Sequence, residues 1–390
     1  MSSAIVDAAV AGRLAIRALG RRLRGEIEPA PDRDAFRRDL DQALAALPAG
    51  LVSQVEWIDL PAQEPPWHDS GIELSPGDEL TWLALGRVYA SKPLDIWVGP
   101  KNQIWARIGK DGRVFSSTRD SHTLVAERAG RLQFGNYFPN DWADVTGSTL
   151  QDDAVYESVE GGTLIAAIRW TDSALAGLDA LRRIADPQKL VSGEIERFSA
   201  GTTTPEGWHY LWHLGDAEIF RSRETPDGGH AIDCSVQGDV GILQRKADLP
   251  LTPQTRINWR WQIRSLPGLM REDSLPSHDY LSIAVEFDDG RDITYYWSRS
   301  LAPGTGYNCP LPNWKHREFH VVVRSGEKGL GVWHDESRNL HADYAHYIGT
   351  PPARVVRVWL IANSIFARQL GRCSFANIQL SDGERTIEVL

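Results

Sequence analysis

Residues 257–264 read INWRWQIR. Ile257, Trp259, Trp261 and Ile263 alternate with polar residues, the pattern of a strand with one face turned to an apolar interior. Trp259 and Trp261 therefore share a face, as residues of a core or of a ligand cleft would. Downstream, YLSIAVEFDD (280–289), DITYYWSR (292–299), REFHVVVRSG (317–326), VVRVWLIANS (355–364) and CSFANIQLSD (373–382) show the same alternation or a buried β-branched run. That number of strands predicts a jelly-roll-like, two-sheet sandwich over residues 193–390.

Upstream, GDELTWLALGRVYA (77–90), QIWARIGKDGRVF (103–115), GRLQFGNYF (130–138) and GTLIAAIRW (162–170) are short strands bounded by turn residues. GKDGR is a hairpin signal, and no helical pattern intervenes. A second antiparallel sandwich is expected over 51–172. TDSALAGLDALRRIAD (171–186), ending at Pro187, reads as a connecting helix within 173–192, with Leu175, Leu178 and Leu181 or Ile184 inward. Residues 1–50 are expected to be helical. A basic amphipathic helix over 3–24 places Val6, Val10, Leu14 and Leu23 on one side, and Asp32 caps a second helix carrying Phe36, Leu40, Leu44 and Leu47. The first helix either docks on its own chain or offers residues 1–25 for self-association or membrane-surface contact. The fold class is thus mainly β, two sandwiches with an N-terminal helical segment and a connecting helix.

Composition narrows the function. A chain of 390 residues with 42% hydrophobic and 24% charged residues is a folded protein of more than one domain. A formal net charge of −10 argues against a nucleic-acid partner, because phosphate binding needs a basic face. Three cysteines without a CxxC pair supply neither a disulfide framework nor a zinc motif. The charges near the N-terminus follow rather than precede the apolar opening, so cytoplasmic residence is expected. Phosphate loops, HExxH and GxSxG are missing from the sequence. Tryptophan, at 15 residues, outnumbers either Phe or Tyr, and its ring stacks on sugars as well as filling cores.

The densest chemistry lies in GLGVWHDESRNLHADYAHYIG, residues 329–349. GVWH reads as a strand, DESRN as a turn, and ADYAHY as the approach to the IGTPP turn. His341 and His346, five apart, match no single helix or strand face, so this cluster is a weak metal signal. Arg338 between Glu336 and Asp343 suits a charge-assisted clamp. Alternatively, two carboxylates about 5–9 Å apart could act in glycoside hydrolysis, with Asp279 joining Glu336 and Asp343.

WRW (259–261), DYLSIAVEFDD, YYWS, RSG and WHDESRN, with Asp343 and Tyr344, resemble in order the 3047 family of domains of unknown function, over about residues 193–382. That resemblance implies a galactose-binding-like sandwich with no established activity. Its recurrent blocks match here at Trp259, Trp261, Asp279, Tyr280, Trp297, Arg324, Ser325, Gly326, Trp333, Glu336, Arg338, Asn339, Asp343 and Tyr344. Where that family carries an acidic run, this chain has ANSIFA, residues 362–367.

IELSPGDELTWLALGRVYAS, IWARIGKDGRVF and AGRLQFGNYFPNDWAD are similar to the PA-IL-like galactophilic lectins, over about residues 70–170. The likeness implies calcium held by Tyr89, in a turn, and by the loop residues Asn136, Asn140, Asp141 and Asp144, whose hard oxygens suit that ion. The expected function is non-catalytic binding of a carbohydrate or glycoconjugate, with calcium as a candidate cofactor. The candidate ligand-binding residues are Trp259, Trp297, Trp314, Trp333, Arg338, Asn339 and Tyr344. The alternatives are a glycoside hydrolase or lyase using Glu336, Asp343 and Asp279, and an assembly subunit.

Overall fold

The computed structural model describes residues 3–64, 66–136, 142–150, 153–225 and 228–390. It forms two compact units: 17–202 with 212–217, and 1–16 with 203–211 and 218–390.

The first unit begins within α1 (Ser3–Leu23) and continues through α2 (Arg33–Ala45), whose first turn is closed by Asp32 accepting the Ala35 N–H at 2.9 Å. Its strands are β1 (Val52–Pro61), β2 (His68–Leu74), β3 (Glu79–Ser91), β4 (Ile96–Val98) and β5 (Ile104–Ile108). They continue with β6 (Phe115–Ser116), β7 (Ser121–Val125), β8 (Gly130–Asn136) and β9 (Glu160–Trp170), followed by α3 (Ala174–Arg182) and α4 (Leu190–Ala200). Among the described residues, one sheet runs β1-β9-β3-β4 with β7 also on β3, and the other runs β2-β8-β5-β6.

β3 is buried almost throughout because it is covered on both faces. Leu80, Trp82 and Ala84 join Ile72, Ile104 and Phe134 between the sheets, whereas Leu83 and Leu85 meet Phe36, Leu40, Leu178, Leu181 and Val191 of the helices. The presumed connector is therefore two helices that cover this sheet. Ala174, Leu178 and Leu181 face inward, while Leu175 and Ile184 are exposed. The stripe on α1 also shifts: Val10, Leu14 and Ala18 are buried, but Leu23 is exposed along with Ile16 and Leu19. No described helix is long and apolar enough to cross a membrane.

The second unit carries β10 (His209–Tyr210), β11 (Phe220–Glu224), β12 (His230–Val236), β13 (Val240–Pro250), β14 (Arg256–Ser265), β15 (Tyr280–Phe287) and β16 (Asp292–Ser298). Then come β17 (Gly306–Asn308), β18 (Glu318–Ser325), β19 (His334–Asn339), α5 (Leu340–Tyr347), β20 (Arg354–Asn363), β21 (Gly371–Ser381) and β22 (Thr386–Glu388). One sheet is ordered β10-β13-β20-β15-β16-β18-β17, the other β11-β12-β21-β14-β19 with β22 on β21. β16 and β18 run parallel; the other paired strands are antiparallel. Trp259 of β14 stacks on Tyr295 of β16 at 5.7 Å and meets Trp261 edge-on, so the two sheets face each other across an aromatic core.

The stretch 331–349 folds differently from its sequence reading. DESRN, expected as a turn, forms with His334 the edge strand β19, which among the described residues pairs only with β14. ADYAHY, expected as the approach to the IGTPP turn, belongs to the helix α5, with the Asn339 side chain accepting the Ala342 N–H at 2.8 Å as its N-cap.

Candidate functional site

The three candidate catalytic carboxylates are each engaged within the protein. Glu336 accepts the Trp261 indole N–H at 3.0 Å and pairs with Arg324, not with Arg338. Arg338 grips Asp343 through two bonds, at 2.8 and 2.6 Å, and the Tyr295 hydroxyl donates to the same carboxylate at 2.8 Å. Asp279 is buried and accepts the N–H groups of Phe366 and Ala367 at 3.0 and 2.6 Å. Burial pushes its pKa up to about 7 against the pull of those two N–H groups. ANSIFA thus gives Asp279 backbone donors in place of an acidic run.

Arg338→Ala is expected to cost about 2 kcal/mol, because Asp343 keeps only Tyr295 as a partner, whereas Asp343→Asn leaves the guanidinium half-exposed to water and costs less. Urea unfolding of both variants checks the order, and an equal or reversed loss removes the clamp as the explanation.

The candidate ligand-binding residues divide by burial. Trp259, Trp297 and Trp314 are at most 4% exposed, and Tyr344 is buried with its hydroxyl on Asp289. These four side chains, expected to bind a ligand, belong to the interior. Asn339 is spent on its cap and on the Pro253 carbonyl, at 2.8 Å. Trp333 remains half-buried, with the Arg260 guanidinium 5.3 Å from its ring.

In the first unit, Tyr89 is not in a turn; it lies in β3 between Trp97 of β4 and Glu160 of β9. Asn136 is buried, donating to the Leu60 carbonyl at 2.6 Å and accepting from the Thr163 hydroxyl at 3.3 Å. Asp144 closes its own turn by accepting the Thr146 N–H and hydroxyl at 2.8 and 2.7 Å. Bonds from the Thr146 and Ser148 side chains hold its pKa well below the usual carboxylate range. Asn140 and Asp141 lie outside the described residues. Of the expected calcium set, the Asn136 amide oxygen and one Asp144 carboxylate oxygen are thus engaged within the protein.

A concave site lies elsewhere in the second unit. A cleft of about 610 Å³ is lined by Arg271, Asp273, Tyr307, Asn308, Cys309 and Lys315, with Val6 and Asp7 of α1. A neighbouring hollow of about 330 Å³ shares Asn308 and Lys315 and adds Arg291, His316 and Arg317. Neither lining includes Glu336, Asp343 or Asp279. Arg271 is oriented by Asp273, its Nε 2.6 Å from the carboxylate, and the Tyr307 hydroxyl meets that of Tyr296 at 2.9 Å.

Cys309 of the cleft belongs to a buried cluster with His278, Glu318 and His320, whose potential ligand atoms all lie within 4.8 Å of one another. Burial, then His320, depresses the His278 pKa to about 3, while burial and Glu318 push the Cys309 thiol well up. Burial opposes charge on Glu318, while the neighbouring His320, then His278, pull its pKa below the usual carboxylate range. Sequence reasoning missed this cluster. Glu318 and His320 alternate in REFHVVVRSG as a same-face pair, but His278 and Cys309 come from separate loops that only the tertiary fold brings to them.

No match is found among curated proteins. Solved structures similar to this chain include the EclA N-terminal domain, a PllA-like lectin (14% identity, 31% of this chain and 99% of that one, TM-score 0.23). Another is the xyloglucanase domain of NopAA, a type three effector from Sinorhizobium fredii, in complex with cellobiose (8% identity, 46% and 95% covered, TM-score 0.27). A third is TmCBM61 in complex with β-1,4-galactotriose (10% identity, 47% and 92% covered, TM-score 0.23). Residues 217–379 match the model of the family described as protein of unknown function, DUF3047, the family that the blocks from Trp259 to Tyr344 resemble.

Proposed function

We propose that the protein binds a carbohydrate without transforming it, and that the cleft of the second unit receives it. The observation that carries this reading is the cleft's lining: one aromatic ring, Tyr307, among Arg271, Asp273, Asn308 and Lys315. A sugar offers both an apolar C–H face and a rim of hydroxyls, which such a mixture of ring, amide and charge matches. Asp273 occupies Arg271 and Asp7 adds a second carboxylate, so Lys315 with the adjoining Arg317 supplies the cations for any carboxylate or sulfate on the glycan.

Titration calorimetry of the full chain against neutral and acidic oligosaccharides tests the proposal. A double substitution of Arg271→Ala and Lys315→Ala is expected to weaken the best glycan about tenfold or more, a loss of at least about 1.4 kcal/mol. No binding across the panel, or binding untouched by the double substitution, rejects the cleft. Hydrolysis or elimination of the bound glycan replaces this reading with catalysis.

A further inference from the structure

We infer that His278, Cys309, Glu318 and His320 form a binding site for one zinc-type divalent ion inside the second unit. The inference rests on the side chains themselves and stands whether or not the cleft binds a glycan.

Three segments deliver the four groups. Glu318 and His320 are two apart in β18 and share a face. Cys309 follows β17, and its N–H donates to the Glu318 carbonyl at 3.0 Å, which fixes the thiol beside that strand. His278 precedes β15, with its Nε2 3.4 Å from the Cys309 Sγ. All four residues are at most 3% exposed. A tetrahedral ion with Zn–S of about 2.3 Å and Zn–N of about 2.0 Å asks for ligand atoms roughly 3.3–3.8 Å apart. The observed limit of 4.8 Å therefore needs side-chain movement of only about 1 Å.

A second observation points to a missing partner. His320 is fully buried, and neither of its ring nitrogens makes a hydrogen bond, although its Nε2 lies 3.4 Å from a Glu318 oxygen. An imidazole stripped of water and left unbonded is costly. A metal ion accepting its lone pair removes that cost. The surroundings are arranged as they are around known metal ligands. His278 Nδ1 lies 2.6 Å from the Glu272 carbonyl and donates to it, which leaves Nε2 as the free lone pair. The hydroxyls of Tyr280 and Thr294 hold Glu318 at 3.0 and 3.1 Å. Charge also balances: a divalent ion with one thiolate and one carboxylate is neutral, as burial demands. Thiolate with two imidazoles selects zinc and its relatives over magnesium or calcium. Four protein ligands leave no open position, so the ion's role is to brace the fold.

The test strips the full chain with a chelator and titrates it with zinc or cobalt. Expected are one equivalent per chain by elemental analysis and, with cobalt, a thiolate charge-transfer band with the visible absorption of a tetrahedral ion. Cys309→Ser should abolish the charge-transfer band, Cys373→Ala should leave it, and His320→Gln should weaken binding about 100-fold or more. Should the ligand variants not fold, the cobalt spectrum of the unaltered chain and of Cys373→Ala decides. Failure of the unaltered chain to take up either ion overturns the inference, as does uptake indifferent to Cys309→Ser and His320→Gln.

Discussion

Replacing Glu194 by Ala is expected to destabilise the first unit by about 3–5 kcal/mol, the cost of breaking a buried ion pair from one side. Glu194 is fully buried on α4. It accepts the Ser121 hydroxyl at 2.8 Å, the Thr123 N–H at 2.5 Å and the Arg197 guanidinium at 2.6 Å. Arg197 in turn donates to the Thr123 carbonyl at 3.0 Å. Among the described residues, strand β7 pairs only with β3, so its other edge carries no strand. Glu194 and Arg197 satisfy the N–H and C=O of Thr123 there, as a neighbouring strand would. Truncation to Ala leaves a guanidinium, a hydroxyl and a backbone N–H without their carboxylate, whereas Glu194→Gln keeps the shape and should lose less. Urea unfolding measures both variants. A loss below about 1 kcal/mol for Glu194→Ala would show that water replaces the carboxylate without difficulty.

Trp259→Ala is expected to cost the second unit about 3–5 kcal/mol, through lost burial and the cavity left between the sheets. Its ring is 2% exposed, stacked on Tyr295 and edge-on to Trp261. The indole N–H makes no hydrogen bond, so Trp259→Phe gives up volume alone and should be milder. Trp333→Ala, at the half-buried edge position, should stay within about 1 kcal/mol. Thermal and chemical unfolding of the three variants separates core from surface, and similar losses at Trp259 and Trp333 contradict the assignment.

These contrasts show what the sequence made legible. Alternation in INWRWQIR identified both the strand and its buried face, since β14 is covered on one side only and Ile257, Trp259, Trp261 and Ile263 all turn inward. The unbroken apolar run of YLSIAVEF was equally clear, because β15 is buried throughout. DESRN was illegible as a strand: an edge position paired, among the described residues, only with β14 needs no apolar face, so polar residues occupy it without penalty. Helix α5 escaped for a related reason: only Leu340 and Tyr344 along its length are buried, too few for a periodic stripe. The dense polar stretch drew attention to carboxylates that are bonded to Arg324 and Arg338, whereas the cleft and the cluster behind Cys309 are assembled from residues far apart in the chain.

The placement of the thiols has a practical consequence. Cys234, Cys309 and Cys373 are free and buried, and all belong to the second unit; the first has none. Burial, reinforced by Cys373, pushes the Cys234 thiol far from its reactive thiolate form. Cys234 and Cys373 also sit opposite one another in the ladder between β12 and β21. A thiol-specific label added to the folded chain therefore clocks the opening of one unit and is blind to the other. Simultaneous modification of Cys234 and Cys373 marks the moment at which that ladder parts.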